Sequence, residues 1–510
     1  MVSMAVNGTP GRAFGLLIQS LGKLTCPLSA ATQGWRMTVI SAPHAAGPRP
    51  ASSAPPAPLR RDTPRWWADV GGVCAGLSVL FVTALWVSNG GVQQVTGGGA
   101  DAVSALGRVT GLWASDLLLV QVLLMARIPL VERAFGQDRL AGWHRWTGFT
   151  SFWLMVAHIV LITVGYASAG RVNAFAELWD MVVSYPGMLL ATAGTVLLVL
   201  VVVTSVRAAR RRLRYESWHL LHLYAYLGVG LALPHQLWTG ADFVASPAST
   251  VYWWSLYAVS AGAVVVYRLG VPVWRNWRHR LVVSRVVPEG PGLTSVYLDG
   301  RALDRLPVRA GQFFQWRFLD GPGWSRAHPY SLSATPHGHM LRITVKDLGD
   351  GSARAAALRP GTRALVEGPY GKLTAESYSG GPVVLLACGI GVTPLLSLLG
   401  ELPYRPGEAT LVYRARSAAE VAFRAELEWF ARHRGVRVVY LLGPRADRPS
   451  WLPGQYAGHG EAGALRQIAP DIAGSHVYVC GPDAWTGAAR TAAVSAGVAS
   501  ERVHTELFSW

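Results

Sequence analysis

The sequence predicts a multi-domain membrane protein: an all-α bundle of six transmembrane helices, then an antiparallel β-barrel, then an α/β domain. Three observations support this fold class. Of the 510 residues, 51% are hydrophobic and only 15% are charged. Six apolar stretches of about 20 residues lie in the first half of the chain, each long enough to cross about 30 Å of hydrocarbon as a helix. The second half alternates strand patterns with glycine-rich turns.

The amino-terminal segment, residues 1–62, is predicted to be disordered. Its stretch from Ser41 to Pro58 is rich in Ala, Pro and Ser, which cannot build a packed core. The apolar patch Phe14–Leu24 is too short to span a bilayer. Translation from Met1 and translation from Met37 both stay open.

The next domain, residues 63–274, is predicted to be the six-helix transmembrane domain. Each of its apolar segments has the length of one membrane span. The segments are Trp66–Ser88, Val109–Leu130, Trp143–Ala167, Tyr185–Val206, Trp218–Trp238 and Val251–Val271.

Arginines flank these segments on alternate connections, and the positive-inside rule therefore predicts that both termini are cytoplasmic. The predicted location is the plasma membrane, with the residues after 275 in the cytoplasm. Because these flanks account for the net charge of +17, the lipid bilayer is the expected partner and nucleic acid is not. The flanking residues are Arg60, Arg61, Arg65, Arg127, Arg133, Arg139, Arg145, Arg207, Arg210, Arg211, Arg212, Arg214, Arg275, Arg278, His279 and Arg280.

The four cysteines, Cys26, Cys74, Cys388 and Cys480, lie far apart and form no CxxC motif. An iron–sulfur cluster, a zinc site of the usual cysteine type and a disulfide framework are therefore not expected.

Two of the predicted spans contain pairs of histidines, and polar side chains at membrane depth are costly and usually functional. His144 and His158 lie fourteen residues apart on the third span, close to one helical face and about 21 Å apart along its axis. His222 and His235 lie thirteen residues apart on the fifth, about 19.5 Å along the axis but about 140° apart around it. Pro234 precedes His235, and a kink there would correct the direction.

His219 is an alternative to His222, although its spacing from His235 turns it about 160° away. Pairing by depth predicts two layers of ligands, His144 with His222 on the inner side and His158 with His235 on the outer side. Imidazoles at both axial positions close a haem iron to substrate and favour electron transfer, so two haems are expected. The alternative is that these histidines only hydrogen-bond across the bundle.

The segment HPYSLS, residues 328–333, follows a strand pattern in the predicted barrel domain, residues 275–376. A flavin needs an aromatic face against its ring system and a hydroxyl near its N5 atom, and Tyr330 and Ser331 offer both. His328 is placed to face phosphates. An ordinary barrel strand is the alternative interpretation of this segment alone.

Glycines after the next strand lead into a helix at Ser352. Free N–H groups at a helix N-terminus bind pyrophosphate, and Lys346 adds positive charge nearby. The turn Gly368–Gly371 then closes the barrel domain.

The segment CGIGVTP, residues 388–394, follows an apolar strand and opens a helix in the predicted α/β domain, residues 377–510. In that context a glycine pattern indicates dinucleotide binding. The next strand ends at Arg414 and Arg416, and arginines here suit the 2′-phosphate of NADP whereas an acid suits NAD. NADPH is therefore preferred over NADH, although a solvated strand end is the alternative role for both arginines.

Two further segments lie near the end of the chain. Residues 480–482, CGP, end another strand, and the last residues read ELFSW. A carboxy-terminal aromatic residue, Phe508 or Trp510, would cover a flavin until nicotinamide displaces it. Simple packing is the alternative role.

Together these residues resemble the ferric reductase and NADPH oxidase superfamily over about residues 63–510, and the cytoplasmic part is similar to ferredoxin–NADP reductase. The paired histidines, HPYSLS, GIGVTP, CGP and Glu506–Phe508 occur in the family's order. The resemblance implies FAD, NADPH and two b-type haems as cofactors.

By that resemblance, the haem irons are bound by His144, His158, His222 and His235. The residues expected at FAD and at the nucleotide are His328, Pro329, Tyr330, Ser331, Lys346, Gly351, Ser352, Gly389, Gly391, Thr393, Pro394, Arg414, Arg416, Cys480, Gly481 and Pro482. The residues expected nearest the chemistry are Ser331, Cys480, Glu506 and Phe508.

The expected activity is that of a transmembrane oxidoreductase. Cytoplasmic NADPH reduces FAD, and two haems pass the electrons to an external acceptor, with ferric chelate preferred. Superoxide formation from O2 is an alternative, and so is donation to a periplasmic protein or a quinone. A purely structural membrane anchor for a soluble reductase is the least favoured class.

Overall fold

The computed structural model describes residues 38–40, 66–206, 215–336, 338–456 and 460–507. Of the segment predicted to be disordered, it describes only a short strand, β1 (Thr38–Ile40). The rest of that prediction lies outside the described residues, and so do the arginines of the fourth connection, residues 207–214.

Helices make up the chain from residue 66 to residue 279. They are α1 (Trp66–Ser88), α2 (Gly91–Gly97), α3 (Gly99–Met125), α4 (Pro129–Phe135), α5 (Gln137–Gly170), α6 (Ala174–Ser184), α7 (Met188–Ser205), α8 (Tyr215–Trp238), α9 (Ala241–Val244), α10 (Pro247–Ala263) and α11 (Val271–His279). A π-helical segment, Val264–Gly270, joins α10 to α11 without a break.

Five helical stretches among the described residues are long and apolar enough to cross a membrane. They are Asp69–Ser88, Gly99–Met125, Arg139–Gly170, Met188–Ser205 and Pro247–His279. The predicted fifth span lies in α8, which is not among them because its histidines, Pro234 and Gln236 lower its mean hydropathy. A helical membrane part is confirmed, and the count of six spans stays a prediction.

The predicted span Val109–Leu130 corresponds to α3, but its limits were wrong at both ends. The helix begins at Gly99, and it ends at Met125 because Arg127 adopts a left-handed backbone (φ 66°) and Pro129 follows. Small residues let neighbouring helices approach closely. A Cβ on Gly194 of α7 would lie 2.6 Å from the carbonyl oxygen of Gly228 of α8.

Two three-stranded antiparallel sheets follow, in the orders β2-β3-β6 and β5-β4-β7. Their inward side chains, including Phe314, Trp316 and Ile343, are fully buried in one shared core. Single bridges, Val282 with Arg363 and Leu332 with Ile343, connect the sheets. The antiparallel prediction is confirmed, whereas a closed barrel stays a prediction. The strands are β2 (Val282–Gly290), β3 (Leu293–Asp299), β4 (Phe313–Phe318), β5 (His328–Ser331), β6 (Met340–Lys346) and β7 (Ala364–Tyr370).

The last part of the chain forms parallel strands in the order β10-β9-β8-β11-β12, with helices between them. The strands are β8 (Val383–Cys388), β9 (Ala409–Ala415), β10 (Arg437–Leu442), β11 (His476–Gly481) and β12 (Val503–Leu507). The helices are α12 (Asp350–Ala353), which precedes this sheet, and α13 (Val392–Glu401), α14 (Arg424–Arg434), α15 (Glu461–Ile468) and α16 (Asp483–Ser495).

The order of these strands reverses between β8 and β11. The chain adds β9 and β10 on one side of β8 and then returns to add β11 and β12 on the other. In open α/β sheets the crevice at the carboxyl ends of such a strand pair is the usual ligand site. The α/β prediction is thus confirmed, and the fold itself indicates where a dinucleotide would bind.

Candidate functional site

The predicted inner histidine pair meets between helices α5 and α8. The rings of His144 on α5 and His222 on α8 have centroids 5.9 Å apart and planes inclined by 67°. A metal ion bonded to two imidazole nitrogens at about 2 Å each would separate the ring centres by about 6 Å. His235 and His158 of the predicted outer pair lie within electrostatic range of each other. The described residues contain no cluster of three or more His, Cys, Asp and Glu suited to a metal ion.

Each of these four histidines has a hydrogen-bond partner at Nδ1. His144 Nδ1 lies 3.2 Å from the carbonyl oxygen of Gln121, and His158 Nδ1 lies 2.8 Å from that of Gly107. His222 Nδ1 lies 3.3 Å from Ser205 Oγ, and His235 Nδ1 contacts the carbonyl oxygen of Ala232. Donation from Nδ1 leaves the lone pair of Nε2 for a metal and holds the ring in one orientation.

Gly111 leaves the space that the ring of His158 occupies. The sequence prediction did not include Gly111 among the site residues. A Cβ at Gly111 would lie 2.5 Å from Nδ1 of His158. Gly107 stands one helical turn earlier and supplies the carbonyl oxygen for the same ring. The GxxxG spacing of these two glycines is the signal that could have revealed the contact.

Segment 328–331 forms strand β5. The rings of His328 and Tyr330 stack with centroids 6.0 Å apart and planes 16° apart. Trp316 Nε1 donates to the carbonyl oxygen of Tyr330 over 3.0 Å. Burial raises the pKa of Tyr330 to about 12, so its hydroxyl is neutral at physiological pH. Ser331 is 4% exposed, and its buried hydroxyl has no hydrogen-bond partner among the described residues.

A pocket beside β5 adds residues that sequence reasoning missed. Its lining includes Trp324, Arg326, His328, Tyr330 and Arg354. Trp324 is half exposed, as an aromatic residue available for stacking would be. The orphaned hydroxyl of Ser331 and this cationic, aromatic pocket both fit a flavin nucleotide. The signal in the sequence was the arginine two residues before the HPYSLS segment.

The predicted pyrophosphate turn is shorter than expected. Helix α12, which contains Gly351 and Ser352, has only four residues. Ser352 Oγ accepts from the backbone N–H of Leu348 over 2.7 Å and donates to the carbonyl oxygen of Gly349 over 2.9 Å. The serine therefore stabilises the turn itself. Lys346 ends β6, immediately before this turn.

The glycine segment after β8 packs directly against the end of β11. Gly389 has φ 56°, and a Cβ on Gly391 would lie 2.2 Å from the carbonyl oxygen of Cys480. Thr393 and Pro394 are buried in the first turn of α13, where Thr393 Oγ1 donates to the carbonyl oxygen of Ile390 over 2.9 Å. The segments CGIGVTP and CGP therefore flank the crevice between β8 and β11, with Gly481 and Pro482 on the β11 side.

Cationic side chains surround Cys388 at this crevice. Burial raises the pKa of the Cys388 thiol to about 11, while Arg414, Lys346, Arg445 and Arg416 act in the opposite direction. Four nearby positive charges suit a phosphorylated ligand.

Arg414, which was predicted to bind the 2′-phosphate or to lie at a solvated strand end, is buried. It is 6% exposed, and its guanidinium donates to the carbonyl oxygens of Ala415 and, over 2.8 Å, Pro444. Those bonds occupy donors that a 2′-phosphate would need. Arg416, two residues later, is exposed.

Cys480 and Glu506 are neighbours on adjacent strands β11 and β12. The Cys480 side chain is fully buried, and burial raises its pKa well above the usual value. A Cβ on Gly371 would lie 3.3 Å from Glu506 Oε2, so Glu506 faces the turn after β7. Phe508 and Trp510 lie outside the described residues.

Comparisons with known proteins match both halves of the chain. The family described as "Ferric reductase like transmembrane component" matches residues 110–233, which include His144, His158 and His222 and end just before His235. The family described as "Oxidoreductase NAD-binding domain" matches residues 385–491.

Curated relatives match the second half. A flavohemoprotein of Chromobacterium violaceum is 32% identical over 251 residues, which are 46% of this chain and 61% of that protein. The chain thus spans about three fifths of that relative. Ferredoxin–NADP reductase B of Sorangium cellulosum is 30% identical over 227 residues, 41% of this chain and 88% of that protein.

A solved structure, the FAD/NAD-binding domain of nitric oxide dioxygenase from Vibrio cholerae, is 25% identical with a TM-score of 0.36, covering 45% of this chain and 99% of that one. A ferric reductase-like transmembrane component is thus joined to a module of the type that binds FAD and a nicotinamide nucleotide. The chain is a membrane oxidoreductase that combines a ferric reductase-like transmembrane component with a ferredoxin–NADP reductase-like module, which is the architecture of the ferric reductase and NADPH oxidase superfamily.

Proposed function

We propose that this protein passes electrons from cytoplasmic NADPH through FAD and two bis-histidine haems to an acceptor on the other side of the plasma membrane. The observation that supports this most is the inner histidine pair. His144 and His222 face each other with centroids 5.9 Å apart, and each is held at Nδ1. FAD, when bound, would convert a two-electron hydride into single electrons, and haem would transmit those electrons one at a time.

The residues of this chain have separate tasks in that proposal. Tyr330 lines the pocket and offers a neutral aromatic face to the flavin, and the buried Ser331 hydroxyl, which has no partner among the described residues, donates to it. Arg326 supplies positive charge for its phosphates, whereas the charge of Arg354 is balanced by Asp320, 2.9 Å away in the same pocket. The crevice between β8 and β11 binds the nucleotide.

Ferric chelate is the proposed acceptor, as the resemblance implies. At the outer end of α3, Arg108 Nε lies 3.5 Å from Asp242 Oδ2, and Arg108 also donates to Gln94 over 2.9 Å. The charge of Arg108 is therefore largely balanced by Asp242, so these contacts favour a structural role over capture of an anionic acceptor.

Spectroscopy of the purified protein tests the proposal. Addition of NADPH under nitrogen is expected to bleach the flavin absorbance and to shift a haem Soret band, and ferric chelate is expected to reverse both changes. A preparation that is yellow and has no Soret band would overturn the proposal. Oxidation of the reduced haems by O2 with a stoichiometric superoxide yield, but not by ferric chelate, would replace the acceptor with O2.

Arg416 is proposed to select NADPH. Replacing it with alanine is expected to raise KM for NADPH about 10- to 100-fold, because a charge-assisted contact with the 2′-phosphate contributes about 1.5–3 kcal/mol. KM for NADH is expected to stay unchanged. Arg432→Ala removes another exposed arginine, from α14, as the control. An equal rise in KM for NADPH and for NADH would contradict selection by Arg416.

Cys388 provides a pH-dependent probe of the nucleotide crevice. Because its pKa is raised to about 11, the reactive thiolate is scarce at neutral pH and increases as the pH rises. Alkylation by iodoacetamide is expected to accelerate about tenfold per pH unit from pH 7 to pH 9.5. NADP+ is expected to protect the thiol, and Cys388→Ser identifies the labelled site by mass spectrometry. A rate that levels off below pH 9 would contradict the raised pKa.

A further inference from the structure

Strand β7 and the turn after it are held to the helical part of the chain from two sides. On one side, Asn276 of α11 donates from Nδ2 to the carbonyl oxygen of Val366 over 2.8 Å, and its Oδ1 accepts from the Val366 N–H over 2.8 Å. On the other, Lys372 Nζ donates to the carbonyl oxygen of Ala134 in α4 over 2.9 Å. The two antiparallel sheets β2-β3-β6 and β5-β4-β7, called the flavin-type sheets below, are therefore attached to both the α3–α5 connection and α11.

Arg127 lies at the centre of this junction. Its guanidinium carbon lies 4.1 Å above the centroid of the Tyr370 ring, and its Nη1 lies 3.1 Å from Glu132 Oε1. The arginine side chain is only 15% exposed. Its φ of 66° is a left-handed conformation that non-glycine residues seldom adopt. Such strain persists where surrounding contacts impose it, and here they direct Arg127 onto Tyr370.

The Arg127–Tyr370 contact stands between the two halves of the proposed electron path. Tyr370 pairs with Phe313 across β7 and β4, and Phe313 pairs with Ser331 across β4 and β5. On the membrane side, Arg127 follows α3 six residues after Gln121, whose carbonyl oxygen contacts His144 Nδ1. One short chain of contacts thus connects the flavin strand with the helix that orients an inner histidine.

We propose that Arg127 is a positioning residue: its stacking on Tyr370 sets the distance between the flavin-type sheets and the inner histidine pair. The inference rests on the proposed function, because distance matters only if electrons cross this junction. Each NADPH would yield NADP+, one proton and two electrons, and two ferric irons would each take one electron. Electron transfer slows steeply with distance, so a looser junction slows that step and leaves hydride transfer unchanged.

Two measurements on the full-length protein in detergent or nanodiscs test this inference. In stopped flow with NADPH, Arg127→Ala is expected to slow haem reduction about thirtyfold without slowing flavin bleaching, because loss of a desolvated cation–π contact lowers the population of the closed junction by about that factor. In hydrogen–deuterium exchange without NADPH, the same variant is expected to lose protection at residues 129–135 and 364–372. Arg127→Lys is expected to restore part of the rate of haem reduction and part of the exchange protection, because an ammonium also stacks on an aromatic ring.

Substitutions on the other partner and at a matched site complete the test. Tyr370→Phe keeps the ring and is expected to behave as the parent, whereas Tyr370→Leu is expected to behave as Arg127→Ala. Arg285 stacks on Tyr297 at the same 4.1 Å within the flavin-type sheets, and Arg285→Ala is expected to change neither measurement.

Unchanged haem reduction and unchanged exchange in both Arg127→Ala and Tyr370→Leu would overturn the inference. Haem reduction that is slowed as much in Arg285→Ala as in Arg127→Ala would overturn the inference as well. Absence of haem reduction in the parent protein would instead refute the proposed function, and the exchange measurement would still decide whether Arg127 fastens the junction.

Discussion

Replacement of His222 with leucine is expected to eliminate the inner haem and to lower NADPH-driven reduction of an external acceptor by more than about a hundredfold. Loss of a partner that only orients a metal ligand already weakens metal affinity or activity about 10- to 100-fold, and loss of the ligand itself should exceed that. Reduction of the flavin by NADPH should persist, because the nucleotide crevice lies on another domain. Haem content per flavin and stopped-flow spectra at the two chromophores measure the effects.

His219 supplies the matched control on the same helix. It lies three residues before His222 and was the alternative ligand by spacing. The ring of His222 lies beside that of His144, with the two centroids 5.9 Å apart. His219→Leu is therefore expected to retain both haems and external reduction. Two haems in His222→Leu, or loss of one in His219→Leu, would show that the pairing proposed here is incorrect.

Substitution of Gly111 by alanine is expected to disrupt the outer haem alone. The new Cβ would lie 2.5 Å from Nδ1 of His158, a separation that real Cβ atoms do not show. The ring must turn and lose its hydrogen bond to the Gly107 carbonyl oxygen. Loss of that orienting bond should weaken outer haem binding about 10- to 100-fold. The reduced spectrum should then show one haem that NADPH still reduces, with slow transfer to ferric chelate.

The control for this substitution is a helical glycine with open space. A Cβ on Gly230 of α8 would meet no atom within 4 Å, so Gly230→Ala should leave both haems in place. Identical haem content in Gly111→Ala and the parent protein would contradict the steric argument. Loss of both haems, together with aggregation, would indicate collapse of the bundle and not a local effect on His158.

Sequence reasoning was most successful where local chemistry decides the structure. Apolar stretches predicted the positions of α1, α5 and α7 because a span must hydrogen-bond its own backbone in lipid. Alternation predicted the antiparallel strands, and the glycine segment after β8 predicted a strand-turn-helix unit. The fourteen-residue spacing of His144 and His158 predicted two levels, and the carbonyl partners Gln121 and Gly107 on α3 are spaced by the same interval.

The errors arose where distant contacts compete with a local pattern. Arg414 was predicted to bind the 2′-phosphate, but the loop after β10 places the Pro444 carbonyl oxygen beside it and buries the guanidinium. The free N–H groups at the helix start near Ser352 were predicted to bind pyrophosphate, which stays a prediction, and the structure adds that the Ser352 hydroxyl closes its own turn. A pattern along the chain cannot reveal which polar group will be satisfied internally, because the partner comes from another strand or turn.

The sequence by itself therefore determined the order of the parts and the chemical character of each motif, and it predicted the pairing of histidines by depth. The tertiary structure alone decided which helix faces meet, which donors remain available and how the two halves are joined. Gly111 under His158 and Arg127 over Tyr370 are both consequences of packing between segments far apart in sequence. Helical and strand periods describe neighbours along one element, whereas contacts across elements depend on how the complete chain closes.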